Sequence, residues 1–270
     1  MATGAPLPIG SYLEEGAGAP VMLVHGSNTD QRIWVPHAIR ISRHFRVIAP
    51  TQRYFGTSPW PDDGENFSIA THAGDLADFV CGLGLEPVSF VGWSYGAAVC
   101  LMMAVQRPEL VRQLVLYEPA IASVVDASQD AHDAAADRLE MTARARAHIA
   151  EGDARAAVRA FMDGVNDQRG AFERLAPRMQ QIMFENRRTL ALLFAAPPPA
   201  LSCQDLQRLD GTPVIVAHGD ATRSFYRIAA EWTVACVPAA TLVVVPNARH
   251  LLPVEDDARF AALALDLLAS

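Results

Sequence analysis

Six short apolar runs, rich in β-branched residues, alternate with segments of helical periodicity along most of this chain. The runs have the length of strands: VMLV (21–24), FRVIAP (45–50), VSFVGW (88–93), RQLVLY (112–117), PVIVA (213–217) and TLVVVP (241–246). Strands that are apolar on both faces favour a parallel sheet with helices packed on each side. The alternation therefore predicts a doubly wound, mostly parallel α/β domain.

Between residues 121 and 205 the strand pattern gives way to a segment rich in Ala, Arg, Asp and Glu with helical periodicity. An insert of this kind indicates a helical lid, so that the predicted core comprises residues 1–120 and 206–270. The large apolar side chains of the lid are expected to form mainly its own core and, in part, a wall for an apolar substrate. They are Phe161, Met162, Phe172, Met183, Phe184 and Phe194.

The charge and hydropathy of the chain exclude several classes of partner. The formal net charge is −8 and the basic residues are scattered among acidic ones, which argues against nucleic acid and anionic membranes. No apolar run approaches the roughly 20 residues that cross a bilayer, and the first ten residues lack the pattern of a signal peptide. We therefore expect a cytoplasmic protein that acts on a small molecule, and the sequence leaves a homodimer open.

The four cysteines, at positions 81, 100, 203 and 236, share no short metal-binding spacing. Three of them lie in apolar contexts (DFVC, AAVC and VACV), which is typical of buried free thiols in a reducing compartment. The sequence predicts no metal site and no cofactor.

The segment SFVGWSYGAAVC holds a Gly-x-Ser-x-Gly motif, Gly92 to Gly96, directly between an apolar strand and an apolar helix. Such a sharp turn forces its central residue into a strained conformation, and the glycines on either side prevent clashes. Ser94 is therefore expected to be exposed at the carboxyl edge of the sheet, as a nucleophilic serine requires. A chance tight turn is the alternative for a bare pentapeptide, but the strand before and the helix after favour the motif.

A serine hydroxyl needs a base, and His250 follows the last strand by a short loop, which makes it the best candidate. His25 and His218 each precede a glycine at a strand end, where the ring usually hydrogen-bonds to the backbone. Acyl transfer also needs two N–H groups aimed at the developing negative charge. The backbone amides of Ser27, in the turn after the first of the six runs, and of Tyr95 are the expected pair.

Together these features resemble the α/β-hydrolase superfamily over essentially the whole chain. The matching parts are HGSN (25–28), RYFGTS (53–58), GWSYG (92–96), the inserted lid and His250. The resemblance implies an enzyme with a catalytic triad and a cap domain, without a metal ion or a cofactor. The superfamily hosts many chemistries, so it does not specify a substrate.

The third catalytic group is ambiguous in the sequence. In most α/β-hydrolases the acid stands three residues beyond the glycine that ends the penultimate strand, and here that position is Thr222. Asp220 directly follows Gly219 and is more typical of a turn-stabilising residue, so it is the second choice. Glu118 ends the strand that follows the nucleophile helix and is expected at the active edge of the sheet.

An acid in the position of Glu118, after the sixth strand of the family's sheet, resembles the arrangement in zearalenone-type lactone hydrolases and some haloalkane dehalogenases. The alternative for Glu118 is a loop carboxylate paired with a lid arginine. Serine as nucleophile favours acyl chemistry, so the predicted function is hydrolysis of an ester or lactone of a small, mainly apolar substrate. The alternatives are a carbon–carbon bond hydrolase, a cofactor-free dioxygenase, and a ligand receptor with a vestigial triad.

Overall fold

The computed structural model describes residues 9–60, 62–85, 87–121, 129–199 and 201–270. The strands in these ranges are β1 (Tyr12–Glu15), β2 (Pro20–Val24), β3 (Arg46–Pro50), β4 (Val88–Trp93), β5 (Val111–Tyr117), β6 (Val214–Gly219) and β7 (Thr241–Val245). The α-helices are α1 (Val35–Ile41), α2 (Ile69–Leu83), α3 (Tyr95–Gln106), α4 (Gln129–Ala150), α5 (Ala154–Val165), α6 (Ala171–Arg174), α7 (Pro177–Glu185), α8 (Thr189–Ala195), α9 (Cys203–Leu206), α10 (Ser224–Cys236), α11 (Leu252–Glu255) and α12 (Asp257–Leu268). Short 3-10 turns precede α1 and β5 and follow α9.

The strands form one sheet in the spatial order β1-β3-β2-β4-β5-β6-β7. Strands β2 to β7 are parallel, and the prediction of a mostly parallel, doubly wound α/β fold is confirmed. Of the strands in the described ranges, only the edge strand β1 is antiparallel, pairing with β3 from Tyr12 opposite Pro50 to Glu15 opposite Val47. The sequence pattern did not predict β1, because it is four residues long, mostly exposed and carries two glutamates.

Two apolar layers cover the sheet, one on each face. Alternate residues of β5 divide between them: Leu114 and Leu116 pack with α2 and α3, whereas Val115 and Tyr117 pack with α1, α12 and helices of the insert. Helix α3 is buried on nearly all sides, from Tyr95 to Val105. This packing fixes the carboxyl ends of β4 and β5 beside the start of α3.

Helices α4 to α9 lie between β5 and β6, in the segment where the sequence predicts a lid. The predicted limits of the lid, residues 121 and 205, remain a prediction, and residues 122–128 lie outside the described part of the chain. Buried polar contacts tie this insert to the core. Asn186 after α7 donates to Asp30 at 2.7 Å and accepts from the backbone N–H of Gly56 at 2.6 Å.

Replacing Asn186 by alanine is expected to lower the free energy of unfolding by about 1–3 kcal/mol, because it leaves a buried carboxylate oxygen and a backbone N–H without these partners. Urea unfolding followed by circular dichroism measures this change. Gln181→Ala, an exposed position on α7, is the matched control and should change the free energy by less than about 0.5 kcal/mol. Equal stability of the two variants would contradict the role given to Asn186.

The prediction of buried free thiols, made for Cys81, Cys100 and Cys236, is wrong for Cys236, which is bonded to Cys203, and for Cys81, which is free but exposed. Cys203 at the start of α9 and Cys236 at the end of α10 form a disulfide, with Cα atoms 4.9 Å apart. The pairing depends on how α9 packs against α10, 33 residues later, which local sequence context does not reveal. The disulfide removes the argument for a reducing compartment. Of the helices described, none is both long and apolar enough to cross a membrane.

Candidate active site

Ser94 stands at the turn between β4 and α3, with φ of 56° and ψ of −117°. This strained conformation requires close packing, because an added Cβ at Gly96 would lie 2.4 Å from the carbonyl oxygens of Val24 and His25. At Gly92 it would lie 2.6 Å from the Cα of Ala97. The turn therefore has the conformation predicted from the motif. Ser94 is only 4% exposed, however, so the expectation of an exposed serine is wrong: it lines a pocket whose walls include side chains of the insert.

The structure brings Ser94, His250 and Glu118 together in one hydrogen-bonded row. Nε2 of His250 lies 3.0 Å from Oγ of Ser94, and Nδ1 lies 2.7 Å from Oε2 of Glu118. An ionised carboxylate can only accept hydrogen bonds, so Nδ1 donates and Nε2 is left to accept from the serine hydroxyl. This tautomer is the one that a base for Ser94 needs.

Glu118 is fully buried and has a positive φ of 48° directly after β5. Its Oε1 accepts from the backbone N–H of Gly219 at 2.8 Å, and its Oε2 accepts from the hydroxyl of Thr222 at 2.8 Å as well as from His250. These donors compensate for the loss of water around the carboxylate and hold it in one orientation. The alternative of a loop carboxylate paired with a lid arginine does not describe these contacts.

Asp220 is exposed, and its Oδ1 accepts from the backbone N–H of Ala248 at 3.4 Å. Its own N–H donates to the carbonyl of Val245. These are contacts of a residue that stabilises the turn after β6, and among the described contacts none joins Asp220 to His250. The structure thus does not bring the second-choice acid into the row.

Ser27 and Tyr95, whose amides are the predicted pair of oxyanion donors, are both close to Ser94 in the structure. Both residues line the pocket with Ser94, and neither amide donates to another atom of the described chain. The Tyr95 hydroxyl lies 2.7 Å from Nδ1 of the buried His72, and burial raises the pKa of Tyr95. His25 and His218 hydrogen-bond to the carbonyls of the glycines that follow them, at 2.8 and 2.9 Å, as predicted.

A mostly apolar cavity of about 70 Å³ opens next to Ser94. Phe161, Phe194 and Met141 line it from the insert, and Phe225 and Tyr226 line it from α10. The polar side chains on its walls include Arg138 and Thr142, both from α4. Among the residues that the structure describes, no group of three His, Cys, Asp or Glu side chains could hold a metal ion.

Of the six large side chains predicted for the lid core, Phe161 and Phe194 reach this cavity, with ring centroids 5.6 Å apart. Phe172 and Phe184 instead pack on each other, 4.9 Å apart, and Met183 is fully buried within the insert. Met162 lines a smaller pocket beside Ser94 together with Phe161, so the six divide evenly between lid core and pocket walls instead of being mostly lid core.

The family model described as "Alpha/beta hydrolase family" matches residues 21–263, which include every described strand except β1 and the first residue of β2. The chain belongs to the alpha/beta hydrolase family. The hydrolase is 39% identical over 104 residues to 2-hydroxy-6-oxo-2,4-heptadienoate hydrolase of Pseudomonas putida, a match that spans 37% of each protein. It is 33% identical over 105 residues to haloalkane dehalogenase 2 of Mycobacterium bovis, spanning 39% of this chain and 36% of that relative.

Among solved structures, the hydrolase resembles Est816, described as an N-acyl homoserine lactone degrading enzyme, with a TM-score of 0.75 and 19% identity. The superposition covers 95% of both chains, and at this identity it shows the shared fold. The curated relatives match over little more than a third of their own length. Their activities therefore do not transfer to this chain directly.

Two further contacts with the row were not found from the sequence. The hydroxyl of Thr222, at the position where the family usually has its acid, donates to Glu118. The ring of Tyr226 stacks on that of His250, with centroids 3.8 Å apart and planes 11° apart. The sequence gives only a weak indication of these two contacts. Thr222 lies in the loop after β6 and Tyr226 lies in the first turn of α10, and β6 ends at the active edge of the sheet.

Removing the Tyr226 ring is expected to lower kcat about 10- to 100-fold, because the imidazole loses the surface that fixes its plane. Tyr226→Phe keeps the ring and should retain most of the activity, whereas Tyr226→Ala should not. Steady-state kinetics on one ester measures both, and Phe194→Ala serves as the control, since Phe194 lines the cavity and packs on Phe161. Equal losses in Tyr226→Phe and Tyr226→Ala would assign the effect to the hydroxyl.

Proposed function

We propose that this hydrolase cleaves a carboxylic ester or lactone through an acyl-enzyme formed on Ser94. The observation that carries the proposal is the row in which Oγ of Ser94 lies 3.0 Å from Nε2 of His250, beside an apolar cavity. A base within hydrogen-bonding distance is what converts a weakly nucleophilic hydroxyl into an attacking group. Glu118 is part of the proposal as the acid of the triad, in the position that resembles zearalenone-type lactone hydrolases.

In the first half of the reaction, Oγ of Ser94 forms a bond to the substrate carbonyl carbon while His250 takes the hydroxyl proton at Nε2. The carbonyl oxygen becomes negative and accepts hydrogen bonds from the amides of Ser27 and Tyr95. Glu118 stabilises the imidazolium that forms. When the tetrahedral intermediate collapses, His250 returns the proton to the leaving alkoxide, and the alcohol departs, or stays attached if the substrate is a lactone.

In the second half, His250 removes a proton from water, and the resulting hydroxide attacks the acyl carbon. The intermediate collapses with the proton returning to Oγ of Ser94, which releases the carboxylic acid. The burial of Ser94 and His250, at 4% and 3% exposure, leaves the fixed groups of the site, rather than bulk water, to stabilise the charges that develop. The chain needs no metal ion or cofactor for these steps.

The substrate class follows from the nucleophile and from the pocket. Haloalkane dehalogenases and epoxide hydrolases of this fold use an aspartate nucleophile, and Ser94 stands in that position here. The cavity walls formed by Phe161, Phe194 and Phe225 favour a mainly apolar substrate of modest size.

A carbon–carbon bond hydrolase is the second candidate, and the 39% identical stretch shared with a 2-hydroxy-6-oxo-2,4-heptadienoate hydrolase favours it. The same row of residues could serve, because the bond cleaved in such substrates also lies beside a carbonyl. A screen that sets ethyl esters and lactones of graded size against such a dienoate separates the two reactions. Higher kcat/KM for the dienoate than for every ester would replace the first proposal by the second.

Labelling with a fluorophosphonate tests the covalent step. We expect the wild-type protein to be labelled at Ser94 and to lose activity with the same time course, while Ser94→Ala is neither labelled nor active. Mass spectrometry of the labelled peptide locates the adduct. Activity that survives in Ser94→Ala would indicate the cofactor-free dioxygenase alternative, and ligand binding with no multiple turnover would indicate a receptor.

A further inference from the structure

Arg138 is a half-buried cation on the wall of the cavity beside Ser94, and the described chain offers it no carboxylate partner. The neighbouring charge is Arg146, two turns along α4, which repels it. Burial and Arg146 lower the pKa of Arg138, yet an arginine stays charged at neutral pH. The cavity thus contains a positive charge that nothing described in the protein balances.

Six of the other buried or partly buried arginines in the described chain pair with carboxylates, whereas Arg146, Arg249 and Arg259 donate to uncharged oxygen atoms. Arg223 binds Asp137 and Asp167, Arg53 binds Asp75, and Arg32 binds Asp30 and Glu185. Asp137, the chain neighbour of Arg138, is therefore already engaged by Arg223. The chain has 30 acidic residues against 22 basic ones, so a missing partner does not reflect a shortage of carboxylates.

The guanidinium group of Arg146, unlike that of Arg138, already has partners within the described part of the protein. Its Nε donates to the hydroxyl of Thr142 at 3.1 Å, its Nη1 donates to the carbonyl of Phe194 at 3.3 Å, and it lies over the Phe194 ring. The Thr142 hydroxyl in turn donates to the carbonyl of Arg138 at 3.0 Å. Of these two arginines, Arg138 is the one whose guanidinium N–H groups have no described acceptor at the cavity wall.

We propose that Arg138 binds a carboxylate carried by the substrate, so that the preferred esters or lactones are anionic. The inference rests on the proposed function, because it names the substrate class of the same site. A guanidinium fork binds a carboxylate through two parallel hydrogen bonds, and the bound anion also relieves the repulsion from Arg146. The remaining walls are mostly apolar, so one negative charge at the end of a short hydrocarbon chain matches the cavity.

Matched pairs of ethyl esters test this proposal. Monoethyl succinate, glutarate and adipate each have a neutral counterpart of equal acyl length: ethyl butyrate, valerate and hexanoate. We expect kcat/KM for at least one anionic ester to exceed that of its neutral counterpart by tenfold or more, measured by acid release in a pH-stat. Uniform preference of the wild-type protein for the neutral ester in every pair would overturn the proposal, whatever the variants do.

In Arg138→Gln, kcat/KM for the anionic esters is expected to fall about 10- to 100-fold, while that for the neutral esters stays within about twofold. Arg138→Lys keeps the charge without the planar fork and should lie between the two. Arg144→Gln is the matched control, because it removes the same charge from an exposed position on α4. An equal loss in Arg144→Gln and Arg138→Gln would mean that the loss comes from the change in net charge, and it would contradict the proposal.

A binding measurement separates this inference from the proposed reaction. In the Ser94→Ala background, glutarate is expected to raise the melting temperature, and adding Arg138→Gln should abolish the rise. If no ester is hydrolysed but glutarate still binds through Arg138, the hydrolytic function fails and the anion site stands. If Ser94 hydrolyses neutral and anionic esters alike and glutarate has no effect, the function stands and the anion site fails.

Discussion

Replacing Glu118 by glutamine is expected to lower kcat about 10⁴-fold, the size of loss that follows when the acid of a Ser-His-acid row becomes an amide. The physical reason is the tautomer of His250. A glutamine amide can donate to Nδ1, which moves the proton to Nε2 and leaves no lone pair facing Ser94. Steady-state kinetics on the best ester of the screen measures the loss, and KM should change little, because Glu118 does not line the cavity.

Asp220→Asn is the matched control, since it removes the same charge from the next acidic position at this edge of the sheet. Its carboxylate contacts the backbone N–H of Ala248, so the change is expected to leave kcat within about threefold of the wild-type value. The reverse pattern, a large loss in Asp220→Asn and a small one in Glu118→Gln, would overturn the assignment of the acid.

The contact between Thr222 and Glu118 allows a sharper test of where the acid belongs. Because the Thr222 hydroxyl lies 2.8 Å from Oε2 of Glu118, an aspartate at position 222 would place a carboxylate close to the same point. Thr222→Asp alone is expected to lower kcat, since two carboxylates would then compete in a buried site. Combined with Glu118→Gln it should recover part of the lost rate, and an inactive double variant would show that only the end of β5 can carry the acid.

The sequence identified most of the fold because parallel strands buried on both faces leave unbroken apolar runs. The same logic located Ser94, Glu118 and His250, since each follows a recognisable strand and parallel strands end at one edge. What the sequence missed depends on contacts between distant segments. The Cys203–Cys236 disulfide and the stack of Tyr226 on His250 arise from how helices pack, and periodicity does not encode that packing. The burial of Ser94 was missed for the same reason, because a lid's position above the sheet leaves no local signal.

Acid is expected to destabilise this protein steeply between pH 6.5 and 4, through three buried histidines. Burial lowers the pKa of His25 to about 4, of His37 to about 4 and of His72 to about 3, from the ordinary 6.5. Above pH 6.5 these rings are neutral in both the folded and the unfolded chain, so stability is fully present there. As the pH falls below 6.5, the three histidines become protonated in the unfolded chain but stay neutral in the folded chain. The free energy of unfolding therefore decreases.

The linkage gives the size of the effect. Each proton contributes about 1.4 kcal/mol per pH unit, so that three histidines lower the free energy of unfolding by about 6 kcal/mol between pH 8 and pH 5. A domain of ordinary stability has roughly 5–15 kcal/mol, so the loss takes a large share of it. Urea unfolding at half-unit pH intervals measures the slope.

The contribution of one histidine can be isolated at His37, whose ring packs edge-on against Trp34 and Phe260 at centroid distances of 4.9 and 5.6 Å. Its Nδ1 lies 3.2 Å from the carbonyl of Ile33, and its Nε2 has no hydrogen-bond partner among the described atoms. His37→Phe keeps an aromatic ring in that packing and removes the titrating group, so the pH slope should fall by about a third. His44→Gln changes an exposed histidine and should leave the slope as it is. A slope that is the same in wild type and His37→Phe would mean that the acid sensitivity arises from carboxylates, whose native contacts are lost on protonation, and not from the buried imidazoles.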